Sequence, residues 1–371
     1  MKGQWIGRFE GTNSGLAILD LDDEGTFYRG HAFAFDDNPD LPAIVAAVVT
    51  PNTQPIQELE ITDLAAIRPR TTQLITREQL AVEFPNIAYP KKLALRLKLT
   101  AKELEARWSS DLGTEGVAKF PRCRSADESD LKLIDDVQDW KSFRDYALSL
   151  PHRQFIFRGQ GMCKRLRSSF HRSRRKDLIR YITEDVPEAV RALSSRTRHL
   201  FNITDPGQNA AFLNLLQHHG YPTPLLDWTY SPFVAAFFAY RYRRNRGPDN
   251  NNVRIFAFDR QAWIRDWNPV QSITFARPHF SLLEALSIEN QRAIPQQALL
   301  SATNVDDIES YIREKEIASG QTYLFAVDLP FAERRKVMEE LSAMGITAGS
   351  LFPGLDGACE ELRGRFFHPV E

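Results

Sequence analysis

Cysteine is scarce. The 371-residue chain has three, Cys123, Cys163 and Cys359, far apart and with no CxxC pair. An odd, scattered set excludes a disulfide framework and a cysteine-rich zinc site. Long apolar runs are missing as well. No stretch of about 18 apolar residues occurs, so no transmembrane helix and no membrane partner are expected. No apolar signal core follows the opening Met1-Lys2-Gly3-Gln4-Trp5, which makes the cytoplasm the expected location. Net charge is close to balance at −1, which excludes a global pull toward nucleic acid or anionic lipid and leaves only local patches. No internal repeat is present.

What is present divides in two. The fold class expected is α+β, with a β-rich N-terminal domain over residues 1–125 and a mixed α/β domain over 126–371. In the first, turn clusters at Gly11 to Gly15 and Asp22 to Gly25 bracket strands at Leu16 to Asp22 and Thr26 to Phe35. Phe27, Arg29, His31, Phe33 and Phe35 share one strand face, and the small residues Gly30, Ala32 and Ala34 share the other with Tyr28. That small face suits a tightly curved sheet. Leu93, Leu95, Leu97 and Leu99 alternate as a half-buried strand. The proline-marked segment Pro39 to Pro90 has no clear pattern. The whole reads as a small antiparallel barrel or sandwich, either a structural or partner-binding module or a barrel that holds a ligand. Ser125 to Asp130 is polar and acidic, a plausible linker.

Past Leu131 the periodicity becomes helical: Val137, Trp140, Phe143, Tyr146 and Ala147 mark a helix that Pro151 ends. Gln154 to Gln160 is a strand stopping at Arg158-Gly159. Asp205-Pro206 and Ser231-Pro232 each read as an N-cap followed by a first-turn proline. The first helix runs to about His219 with Gly220 beyond it. The second covers Phe233 to Arg244, with Arg241, Arg243 and Arg244 at its C-terminal end. Leu225 to Trp228, Val253 to Phe258 and Gln321 to Asp328 are further strands, and Ala332 to Met344 is a final helix.

Four groups carry candidate chemistry. Arg158, at the end of an apolar strand, is either a phosphate or carboxylate clamp or half of a structural ion pair, with Asp227 as the obvious partner. Gly159 permits close backbone approach. Gln217 to Pro232 is the densest polar cluster. Its adjacent His218 and His219 point to different sides of a helix, so no metal site is expected. Thr229 and Ser231 lie where a strand hands over to a helix N-terminus, a place that holds anions and polar ligand edges. The basic run Lys164 to Arg180 is either a solvated face or a pyrophosphate or nucleic-acid contact. Asn290 to Leu300 brings paired amides, Gln296 among them, before an apolar run.

Together these segments resemble the FRG domain family over roughly residues 135–360. The motif that names the family is Phe157-Arg158-Gly159-Gln160. The longer signature is His218-His219-Gly220 through Leu226-Asp227-Trp228-Thr229 to Ser231-Pro232-Phe233-Val234-Ala235. Arg292 with Gln296 and the late Leu351 to Gly357 piece complete it. Pro224 stands where the family usually has arginine, and Ala298 and Leu300 replace its usual Gly and Phe. The resemblance implies a split-sheet core distantly similar to ADP-ribosyltransferases, with NAD as substrate. Arg158, Thr229 with Ser231, and Gln296 follow the order of those enzymes' catalytic motifs. Arg158, Gly159, Gln160, His218, His219, Asp227 and Trp228 would hold the NAD. Gln296 cannot supply a negative charge, and Glu289, Glu360 and Asp227 are open alternatives. The implied protein is an effector acting on a protein or nucleic-acid acceptor, of the kind found among bacterial toxins and anti-phage defence, with an antitoxin or regulatory partner. The rival is a non-enzymatic nucleotide- or sugar-binding protein whose N-terminal domain senses a partner.

Overall fold

The computed structural model describes residues 1–241, 251–267, 270 and 272–367. Ten N-terminal strands come first: β1 (Gly3–Gly11), β2 (Gly15–Asp23), β3 (Tyr28–Asp36), β4 (Ala43–Val49), β5 (Ile56–Ile61), β6 (Leu64–Ile67), β7 (Leu74–Ile75), β8 (Leu93–Leu99), β9 (Glu103–Ser110) and β10 (Glu115–Pro121). They form one antiparallel sheet in the order β5-β8-β9-β10-β1-β2-β3-β4-β6-β7. The alternation read from the sequence sorts its faces. Tyr28, Ala32 and Ala34 of β3 pack with Trp5, Leu19, Leu97, Leu104 and Phe120 in one core, which also joins Val48 of β4 to Ile61 of β5. Gly30 is required on this face, because a Cβ there would run into the Asp20 carbonyl of β2. The unpatterned segment holds β4 to β7 and a short helix, Arg77–Glu83, started by a capping box between Thr76 and Gln79.

The large face of β3 is covered at Phe33 and Phe35, while Arg29 stays exposed. Phe33 and Phe35 join Ile18, Val45 and Ile67 against Ile179 and Ala276 of the C-terminal half, and Arg277 stacks over Phe35 at 4.4 Å. Around this apolar patch lies a ring of buried charge. Asp22 of β2 accepts from Arg175 (3.1 Å) and Arg180 (2.8 Å). His31 contacts Asp177 at 2.5 Å, and Gln4 bridges Asp20 to the backbone of Asn304 and Asp306. The polar segment expected to be a linker is itself tied down. Ser125 is buried, Glu128 pairs with Lys164, Ser129 donates to Glu309 at 2.8 Å, and Asp130 meets Arg165 at 3.0 Å.

The C-terminal half adds β11 (Phe155–Gln160), β12 (Leu225–Thr229), β13 (Asn252–Asp259), β14 (Phe280–Leu283), β15 (Ala298–Thr303) and β16 (Leu324–Pro330). Their order is β14-β15-β12-β11-β13-β16, antiparallel throughout. β11 pairs with β13 along its whole length, and β12 likewise with β15. Between β11 and β12, however, only Phe157 and Thr229 pair. The sheet is therefore two three-stranded halves that touch at one rung and part beyond it.

The capped helices fall where Asp-Pro and Ser-Pro place them. Asp205 accepts from Gln208 N and starts Pro206–His218, and Ser231 accepts from Val234 N and starts Pro232–Tyr240. Gly220 takes a φ of +86°, as a position just past a helix end requires. The second helix is shorter than its expected span to Arg244: Arg241 is its C-cap, and Arg243 and Arg244 lie outside the described residues. The helix read as final, here Arg334–Ala343, is followed by two more, Ala348–Leu351 and Leu355–Phe366. Gly354, at φ +113°, makes the turn between them.

Candidate functional site

The parting of β11 from β12 leaves a cleft of about 670 Å³, within the usual range for small-molecule sites. Its walls are Arg158 to Met162 from β11 and beyond, Asp227 and Thr229 from β12, Ala235, Phe238 and Ala239 from the helix Pro232–Tyr240, and Arg292, Gln296 and Phe352 from the later segments. Ser125 and Ala126 close one rim, so the connection to the N-terminal sheet is part of the site.

Arg158 stands in the gap. Its Nη1 donates to the backbone carbonyl of Asp227 at 2.7 Å, satisfying an acceptor at the point where the strands part. Its Nε is buried and unpartnered, and no carboxylate lies in ion-pair distance among the described residues. Burial works against its charge, and Asp227 only partly offsets this. The Arg158–Asp227 contact is thus real, but it runs to the main chain and is not an ion pair. A buried guanidinium with an open N–H is what an anionic ligand would complete.

The Asp227 carboxylate has other neighbours. Oδ1 accepts from Gln217 Nε2 at 2.6 Å and lies 3.9 Å from His218 Nε2. Almost half of its side chain stays accessible. His218 is held from behind, with Nδ1 3.0 Å from Asn290 Oδ1. Burial lowers the His218 pKa despite the carboxylate beside it, and Arg292 adds to the lowering. Of the three carboxylates open as alternatives to Gln296, Asp227 lines the cleft. Glu360 is engaged by Arg241 and Glu289 by the backbone N–H of His199.

The remaining expected residues divide. Gln160 lines the cleft and donates to the Lys164 carbonyl at 2.9 Å. Thr229 and Gln296 line it too, but their side chains serve the fold: Thr229 Oγ1 donates to Gln296 O (2.7 Å), and Gln296 Nε2 donates to Leu351 O (3.0 Å). Ser231 caps its helix and does not line the cleft. Trp228 also lines the cleft, although its ring lies in the core with Nε1 donating to Ser301 Oγ at 2.9 Å. His219 is exposed and outside the lining. Gly159 answers to packing: a Cβ there would strike the Ala235 carbonyl and come 2.7 Å from Ala239 N, so the glycine lets the helix Pro232–Tyr240 seat on β11.

The basic run also resolves into parts. Arg165, Arg167, Arg175, Lys176 and Arg180 are bound into ion pairs with Asp130, Asp306, Asp22 and their neighbours, so most of the run is internal wiring. Lys164, exposed at the cleft, has no ion pair among the described residues, and neither does Arg292, which donates to His218 O at 3.3 Å. With Arg158 these give the cleft three cations without a carboxylate partner. Phe238 and Phe352 meet edge to face at 5.9 Å and form an apolar wall next to Arg292, whose guanidinium lies over the Phe352 ring at 5.4 Å. Phe352 was missed from sequence, and its signal was the Leu351 to Gly357 motif it belongs to.

Among the described residues no helix is long and apolar enough to cross a membrane. No curated protein matches the chain. Solved structures similar to it include a redesigned β-barrel (10% identity, 33% of this chain, 90% of that one, TM-score 0.22), a redesigned β-barrel bound to DFHBI (9%, 33%, 94%, 0.22) and a de novo designed fluorescence-activating β-barrel (13%, 33%, 93%, 0.22). Residues 153–247, which carry β11, Arg158 and the whole segment from Gln217 to Ser231, match the FRG domain family.

Proposed function

We propose that the split-sheet cleft binds NAD through its pyrophosphate and that the protein is an ADP-ribosyltransferase-like effector. One observation carries the reading: the Arg158 guanidinium is buried in the gap with an open Nε and no carboxylate of its own. Lys164 and Arg292 add positive charge around it, and the Phe238–Phe352 wall offers a surface for a base or nicotinamide ring. Asp227 supplies the negative charge that Gln296 lacks. In the transfer, the bond from ribose C1′ to the nicotinamide nitrogen breaks and nicotinamide leaves with the electron pair. An acceptor nucleophile then bonds to C1′ and gives up its proton. Asp227, oriented by Gln217, would steady the oxocarbenium-like ribose between the two events. The N-terminal sheet is inferred to close as a barrel, since one apolar cluster joins β4 to β5.

A second reading, nucleotide binding without turnover, is favoured by Thr229, Ser231 and Gln296, whose side chains are all used within the fold. Incubating the protein and its Asp227→Asn variant with NAD labelled in the adenylate moiety and cell lysate separates the two. Label on protein or nucleic acid, lost in the variant, supports transfer. NAD binding with no label transferred and no nicotinamide released leaves the binding reading alone.

A further inference from the structure

The last described helix, Leu355–Phe366, presents to solvent the face that an amphipathic helix normally buries. Leu355, Cys359, Leu362 and Phe366 are all exposed, and at about 100° per residue they fall within an arc of roughly 60°. The opposite side is the seated one. Gly357 is buried there, where a Cβ would strike the carbonyls of Phe352 and Ala348. The stripe is thus set by the helix's own attachment and has no cover among the described residues.

The charges beside the stripe indicate what covers it. Glu360 is committed to Arg241, and Glu361 to Arg365. Asp356 and Arg363 lie together on one flank of the stripe, both exposed and without an ion pair among the described residues. Seven residues apart, about 10 Å along the axis, they cannot reach each other. We propose that this helix is a self-association surface, pairing antiparallel with the same helix of a second copy. A two-fold axis between Glu360 and Glu361 sets Leu355 against Phe366 of the second copy and Cys359 against its Leu362. On the shared flank, Asp356 then lies two residues, about 3 Å along the axis, from the level of Arg363 of the second copy, a stagger the arginine side chain spans, and the symmetry makes this contact twice. A parallel pairing would put this flank of the two copies on opposite sides of the seam, and Asp356 and Arg363 would meet no partner there. One 12-residue helix buries less than a standard interface, so the dimer is weak and concentration-dependent. The helix also rests on Phe352, so the contact would brace one wall of the cleft.

Sedimentation velocity of the full chain, from about 1 to 200 μM, tests this. The wild type shifts from monomer to dimer across the series. Asp356→Arg and Arg363→Asp each raise the dimer dissociation constant about tenfold, since two attractions become two repulsions. The combined variant returns to within about threefold of wild type. Phe366→Glu abolishes the dimer, and circular dichroism confirms that each variant keeps its helix content. If Phe366→Glu disturbs the helix, the charge-reversal series decides alone. A monomer at every concentration, a dimer indifferent to these substitutions, a double variant as weak as the singles, or a stoichiometric complex with a different protein on this face overturns the proposal.

Discussion

Replacing Asp22 by alanine should loosen the two halves of the molecule from each other. Asp22 is nearly inaccessible, at 2% exposure, and accepts four hydrogen bonds from the C-terminal half: from Arg175 and Arg180 side chains at 3.1 and 2.8 Å, and from the backbone N–H groups of Lys176 and Asp177. Its removal leaves two buried N–H groups without acceptors, each costing about 1–3 kcal/mol. It also strips a carboxylate from Arg180, itself 5% exposed, although Glu24 and Glu184 still hold that guanidinium. The sum is bounded by the cost of breaking a buried ion pair, about 3–5 kcal/mol. Burial raises the Asp22 pKa even though its donors oppose this, so the carboxylate depends on those partners to remain charged. Urea unfolding followed by circular dichroism and by tryptophan fluorescence measures the loss, and limited proteolysis shows whether cleavage in residues 123–130 speeds up. A loss below about 1 kcal/mol with unchanged proteolysis would refute the view that this charge ring joins the halves.

Gly159→Ala should destabilise by about 1–3 kcal/mol or more, because its methyl group meets the backbone of Ala235 and Ala239, which cannot move aside as a side chain can. A melting temperature equal to that of the wild type would show that the helix seats differently. The buried His171 and His279 are both lowered by burial to about 4 from the usual 6.5. The unfolded chain therefore takes up their protons below about pH 6.5, while the folded chain resists until about pH 4. Their contribution, of order 3 kcal/mol each, is present above pH 6.5 and lost as pH falls toward 4. Melting temperature against pH should fall through this window, less steeply in His279→Gln, and a flat profile would contradict the assignment.

Much of the C-terminal half was legible in the sequence because its signals are local. Asp205-Pro206 and Ser231-Pro232 mark helix starts through capping chemistry within four residues, and Gly220 and Gly345 mark helix ends. The middle of the N-terminal sheet was not legible. Its strands are short, and β5 owes its place to β8, over thirty residues away. Arg158 and Asp227 were legible as partners, yet the form of their contact was not. A sequence shows an arginine and an aspartate, whereas the fold pairs the arginine with a main-chain carbonyl exposed by the parting of two strands. The basic run shows the same limit in reverse, since the acids that neutralise it, Asp22 and Asp306, come from distant parts of the chain. The glycine of Phe157-Arg158-Gly159, besides lining the cleft, lets a helix 76 residues away seat at Ala235.

The central claim is that Arg158 holds an anionic ligand in the cleft, and thermal stability with and without NAD tests it most directly. Saturating NAD should raise the melting temperature of the wild type and of Asp227→Ala, which keeps the main-chain carbonyl that Arg158 uses. Arg158→Ala should remain folded and need roughly 30–100-fold more NAD for the same shift, from about 2–3 kcal/mol of lost charge-assisted hydrogen bonding. Arg158→Lys should fail similarly, because an ammonium cannot copy the planar fork. If Arg158→Ala responds to NAD at the same concentrations as the wild type, or if the wild type does not respond at all, Arg158 is not a clamp for NAD.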